Sequence, residues 1–157
     1  MKEERDERVR RDPHQHLSKI DRILIDVQRK LRDSYRPEVL ENLNGFERKC
    51  IHRFFEDKPE YQTKTYRQED RFVLRVYPIG NIKKFAEEKA REASASGSPV
   101  TLPPMGNYER FVIHDFLKDW KGIETHSYGE GAERRVEIRP VKFGRTLKRI
   151  IKKIKLF

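Results

Sequence analysis

Cysteine is almost absent from this sequence: Cys50 stands alone among 157 residues. A single thiol cannot close an internal disulfide, so packing and hydrogen bonds must hold the fold, and a reducing, cytoplasmic setting is expected. Long apolar runs are missing too. No stretch approaches the roughly 20 residues a bilayer span needs, and the first residues are charged, so neither a span nor a signal peptide is expected. Carboxylates are plentiful but form no cluster of the kind that holds catalytic metal ions, which argues against a nuclease and against an enzyme. His14, His16 and His126 have no second group of ligands, so no zinc site or other cofactor is expected. Apolar content is low at 35% and charge high at 39%. The apolar residues nevertheless fall in periodic runs, the mark of a folded chain.

What is present is a repeat. Adding 62 to a residue number in the first half returns the same residue type again and again, with no gap. Pro37 matches Pro99, Leu40 matches Leu102, and Glu47-Arg48 matches Glu109-Arg110. Ile51-His52 matches Ile113-His114, Phe54 matches Phe116, Thr63 matches Thr125, and Tyr66 matches Tyr128. The units are residues 17–78 and 79–140, preceded by a charged arm (1–16) and followed by a basic tail (141–157). Each unit is near the lower size limit for folding alone, so the two are expected to pack together.

Hydrophobic spacing predicts the elements. Leu17, Ile20, Ile23, Leu24, Val27 and Leu31 predict an amphipathic helix over 17–33. Val39 and Leu40 form a short extended piece. Asn44 caps a second helix running to about residue 57, with Glu47 at capping-box spacing. Residues 61–66 and 71–77 form a hairpin. The second unit repeats the order: a helix over 81–95, a flexible Ser/Gly/Pro joint over 94–99, a strand over 100–102, a helix over 107–119, and a hairpin of 122–128 and 134–139. The fold class is α+β: two units, each a three-stranded sheet with two helices on one face, plus a basic C-terminal helix.

Charge narrows the partner. The net charge is +10, and residues 141–157 hold seven basic residues and no acid. A polyanion is the expected partner, with the tail as its electrostatic handle. In that tail Leu147, Ile150, Ile151 and Ile154 share one helical face, while Lys148, Arg149, Lys152 and Lys153 surround it. Such a segment suits a nucleic-acid backbone, docking on its own domain or a partner, or an anionic membrane.

The second helix of each unit carries the candidate chemistry. Arg48 and His52, and Arg110 and His114, are four apart and so share a helix face. A helical wheel puts Leu43, Phe46, Cys50, Ile51 and Phe54 in the core arc, with Met105, Tyr108, Val112, Ile113 and Phe116 as their counterparts. The Arg and His fall just past its edge, with polar ends toward solvent. A guanidinium fork beside an imidazole suits a phosphate oxygen or a base edge. At an ordinary imidazole pKa, affinity for a phosphate should rise as pH falls from about 8 to 6. The spacing alone is no motif, since Arg10 and His14 fit it too. The repeated context counts: aromatic, Glu, Arg, Ile, His and Phe in one order. Glu47 and Glu109 also fall in the core arc and read as helix-cap acceptors or partners for the nearby Arg rather than as catalytic acids, and Cys50, aligned with Val112, reads as a small core residue. Trp120 and Tyr128 could stack on bases, or Trp120 could close the helix end against the sheet.

At these residues the chain resembles the "R-three-H" family of single-stranded nucleic-acid-binding domains, the second copy being most like the version in bacterial Jag proteins. The carrying residues are Leu102-Pro103-Pro104-Met105, Glu109-Arg110, Ile113-His114, Glu124-Thr125-His126-Ser127, Arg134-Arg135-Val136, Ile138 and Pro140. The resemblance implies a helix-on-sheet fold, binding of single-stranded RNA or DNA without catalysis, and a binding role for Arg110 and His114. Arg48 and His52 match them by repetition. Arg134, Arg135, Arg71 and the tail cations complete the candidate set. The first copy departs from the pattern: Phe72 and Val73 stand where the second has Arg134 and Arg135. It is therefore expected to bind more weakly or to serve as a packing partner. The alternative is a ribosome- or membrane-associated adaptor in which the repeats are a scaffold.

Overall fold

The computed structural model describes residues 17–141. The charged arm (1–16) and most of the tail, with its expected basic helix, lie outside the described residues. The fold is α+β, with four α-helices and two three-stranded antiparallel sheets among the described residues. The first half contains α1 (Lys19–Leu31), β1 (Glu38–Leu40), α2 (Gly45–Glu56), β2 (Gln62–Gln68) and β3 (Arg71–Tyr77). The second contains α3 (Ile79–Ser96), β4 (Val100–Thr101), α4 (Asn107–Leu117), β5 (Ile123–Tyr128) and β6 (Arg135–Pro140). In each sheet the last strand lies in the middle: the orders are β1-β3-β2 and β4-β6-β5.

Local sequence sets the helix starts. Ser18 caps α1: its hydroxyl accepts from the Asp21 N–H, and the Asp21 carboxylate accepts from the Ser18 N–H, 3.0 Å away. Asn44 and Glu47 make the expected capping box on α2, both bonds at 2.8 Å. α3 starts earlier and ends later than the spacing predicts, consuming the first part of the expected joint. Its end is set by Gly97, whose φ of 66° suits a residue without a Cβ and whose N–H donates to the Ala93 carbonyl. Ala86, Ala90 and Ala93 are fully buried. Their small side chains let α3 lie close to α4 and β6.

Two cores result. Leu24, Val27 and Leu31 of α1 meet Ile51 and Phe55 of α2 over Leu74 and Val76 of β3. In the second half, α3 and α4 cover Val136 and Ile138 of β6. The halves also interlock. Tyr77 of β3 belongs to the second core, with Tyr35 and Tyr66 packed against it. Tyr35 stacks on Phe85 at 4.1 Å, and Tyr77 meets Tyr108 edge-on at 4.7 Å. The Asn81 amide donates toward the carbonyls of Leu31, Arg32 and Ser34 at 2.8–3.1 Å, tying the C-terminal end of α1 to α3.

The helical wheel needs correction. Phe46 is 70% exposed rather than buried, Cys50 is half-buried, and Phe55 rather than Phe54 fills the first core. Tyr108 packs across to the first sheet, and Leu117 rather than Phe116 is the fully buried residue at the end of α4. The buried line on each helix runs through Glu47-Ile51-Phe55 and Glu109-Ile113-Leu117. In α2, Ile51 and Phe55 pack in the core on the line of the capping Glu47, and Phe46, one position before Glu47, faces outward.

Candidate functional site

The Arg and His of α4 are held differently from the expectation of polar ends free in solvent. Arg110 is only 9% exposed. Its Nη1 donates to the Met105 carbonyl at 2.6 Å, and its Nη2 to Asn107 Oδ1 at 3.1 Å. The guanidinium thus ties the loop before α4 to the helix. His114 lies one turn on and bridges to the sheet. Its Nδ1 is 2.6 Å from Thr125 Oγ1, and its Nε2 is 2.7 Å from Ser127 Oγ.

The first half has the same arrangement. Arg48 Nη1 donates to the Leu43 carbonyl at 2.5 Å. His52 Nδ1 and Nε2 lie 2.5 Å and 2.9 Å from the hydroxyls of Thr63 and Thr65. Strand alternation explains the bridge. Residues two apart in a strand share a face, so two hydroxyls point at the helix about 7 Å apart along the strand. One imidazole spans them, because a hydroxyl can donate to one ring nitrogen and accept from the other. Burial, then the neighbouring guanidinium, lowers both imidazole pKa values below 6.5; for His114 the nearby His126 adds to this. Neutral rings are favoured, and the expected rise in affinity moves to lower pH.

The other candidates are dispersed. Arg134 is exposed just before β6, and its carbonyl accepts from the Met105 N–H at 3.1 Å. Met105 therefore links the Arg134 backbone to the Arg110 guanidinium. Arg135 points to the other face of the sheet, where it pairs with Glu133 at 2.8 Å. Arg71 is exposed at the start of β3. Phe72, at the position of Arg134, lies under the Arg48 guanidinium at 4.8 Å. Glu47 accepts from Asn44 and from Lys19, as a cap should. Trp120 packs with Phe116 on the second core, whereas Tyr128 is 43% exposed. Lys148, Arg149, Lys152 and Lys153 lie outside the described residues. Among the described residues no three His, Cys, Asp or Glu side chains are grouped to hold a metal ion, and no helix is long and apolar enough to cross a membrane.

Sequence reasoning did not single out the hydroxyl pairs Thr63/Thr65 and Thr125/Ser127. Their signal was two hydroxyl residues at alternating strand positions, repeated at the same offset. The cations Lys49 and Arg53, beside a groove under α2, were also passed over.

Only the second-half arrangement, with Arg110, His114, Thr125 and Ser127, lies within a segment that matches a known domain family. Residues 80–140 match the R-three-H domain family. The chain is also 39% identical over 57 residues to the RNA-binding protein KhpB of Lactiplantibacillus plantarum. That similarity covers 36% of this chain and 18% of the relative.

Proposed function

We propose that this protein is a non-catalytic binder of single-stranded nucleic acid, RNA before DNA, acting in a reducing cytoplasm. The observation that carries this reading is the R-three-H match over residues 80–140, the segment containing Arg110 and His114. The RNA-binding relative and the net charge of +10 support it. In this reading the chain is a tandem of two R-three-H-like units. The common sheet order and the His bridge to two strand hydroxyls in each half favour that.

Arg110 and His114 then act chiefly by shaping the ledge at the start of α4. Arg134, exposed beside that ledge, reaches phosphate. The basic tail adds affinity that does not depend on sequence. Labelled single-stranded RNA tests this. Saturable binding is expected, with no cleavage on incubation with magnesium. Deleting residues 142–157 should flatten the dependence of log affinity on log salt. RNA turnover would overturn the non-catalytic reading, and an unchanged slope would take the tail off the polyanion.

The burial of Arg110 favours a second reading, a ribosome- or membrane-associated scaffold in which the ledge is structural. Liposome flotation without RNA retention on a filter would select it.

A further inference from the structure

Each half has a groove between its second helix and the hairpin strand beside it, about 410 Å³ in the first and 480 Å³ in the second. The two lie at equivalent places. Phe55, Glu56, Tyr61, Gln62 and Thr63 line the first, and Leu117, Lys118, Ile123, Glu124 and Thr125, each 62 residues on, line the second. Their charges differ. The first groove also has Lys49 and Arg53 on its wall, one helical turn apart on one face of α2. Neither makes a hydrogen bond or ion pair among the described residues, and both are exposed. Two cations there face one carboxylate, Glu56. At the corresponding positions the second half has Phe111 and Asp115, and Asp115 is already paired with Lys118 at 2.8 Å. Glu124 replaces Gln62.

We propose that the groove between α2 and β2, with Lys49 and Arg53 on its wall, is the main phosphodiester-binding subsite of this protein for a single-stranded polynucleotide. This rests on the proposed nucleic-acid function and deepens it. It also reverses the expectation that the first half binds more weakly. Two cations with no partner among the described residues are placed to neutralise successive phosphates, and the Gln62 amide and Thr63 hydroxyl lie in the same groove. Phe46, one turn before Lys49 and 70% exposed, offers a ring on which a base can stack. His52 orders the floor, because both its nitrogens are held by Thr63 and Thr65. The second groove presents Glu124, His126 at 3.7 Å from it, and Lys118 already paired with Asp115.

The test uses the full chain with fluorescein-labelled single-stranded RNA and DNA oligonucleotides, read by anisotropy across a salt series. Lys49→Gln/Arg53→Gln should lower affinity about tenfold or more and reduce the salt slope by about 1.4, which is about 0.7 for each phosphate no longer neutralised. Lys84→Gln/Lys121→Gln removes the same charge from exposed positions elsewhere and should cost less than about threefold. Thermal melting confirms that both variants are folded. If the two variants behave alike while the wild type binds, the subsite assignment is overturned and the nucleic-acid function stands. If the wild type binds neither oligonucleotide, the function itself falls, and the assignment with it. If labelled polyglutamate binds in place of oligonucleotide and depends on Lys49 and Arg53, the groove serves an acidic polypeptide and the proposal is overturned.

Discussion

Position 44 in the first half is Asn44, whose side chain caps α2; 62 residues on, at the start of α4, stands Gly106, which offers no side-chain cap. Near it the chain makes the same bridge twice: an imidazole joined to two strand hydroxyls, with a guanidinium donating to a carbonyl five residues upstream. Interior geometry is kept while the rim is rewritten. The open faces of the sheets follow the same rule. On the outer face of the first sheet Val73 and Tyr77 are nearly fully buried and Tyr66 half-buried, with the charged heads of Arg75 and Lys64 over the rings of Tyr66 and Tyr108, and Tyr108 packs on Tyr77. At the corresponding positions the second sheet has Arg135, Arg139 and Tyr128, with Arg135 paired to Glu133 and Arg139 to Glu137. Where Tyr108 of the other half packs, the first sheet has Val73 and Tyr77; at those two positions the second sheet has arginines, each paired with a glutamate.

The sharpest way to break this comparison is to empty equivalent places in the two cores. Ile51 and Ile113 are both buried, and Ile→Ala at either should cost about 2–5 kcal/mol. Trp120, the only tryptophan, reports on the second half. Because Tyr77 spans both halves, Ile51→Ala should lower the urea midpoint seen by Trp120 fluorescence. An unmoved midpoint would mean that the halves unfold separately.

Next comes the amide tie between them. Asn81→Ala leaves three carbonyls near the end of α1 without their shared donor and should cost about 1–3 kcal/mol in chemical denaturation. A negligible change would leave the aromatic contacts as the whole of the joint.

The imidazole bridges give a pH signature. Both folded pKa values are lowered, so the unfolded chain takes up protons first as pH falls. Stability should therefore be full above the unfolded value of about 6.5 and decline as pH drops from there toward the lowered folded values. His52→Gln/His114→Gln should flatten this slope in a series of denaturation curves; an identical slope would assign it to other groups.

The smallest effect concerns the caps. Asn44→Ala should lower stability by about 1 kcal/mol. Gly106→Asn should bring no matching gain, because a Cβ there would collide with Glu109 Oε2 and push that buried carboxylate aside. A clear rise in melting temperature would show that Glu109 yields easily.

Much of the fold was legible in the sequence because it rests on local rules. The Asn44–Glu47 box, the alternation of Leu74 and Val76, and the order of elements each depend on neighbours a few residues away. The orientation of α2 and α4 was misread because a wheel counts only hydrophobicity. It puts Glu47 in the core arc, as found, but carries no record of the first sheet that covers Tyr108 or of the solvent that Phe46 faces. The candidate pair was legible as a pair but not as a buried latch, since the groups that occupy it are a loop carbonyl and two hydroxyls on another element.

The 62-residue periodicity, the charge excess and the helix caps are properties of the chain itself, set by which residue follows which. Which guanidinium would be spent inside and which cations would stay free was decided only when α2 and α4 settled on their sheets. Arg110 met the Met105 carbonyl, Asp115 met Lys118, and Lys49 and Arg53 met no partner among the described residues. A buried donor must find an acceptor wherever packing brings one, and sequence spacing carries no record of that encounter.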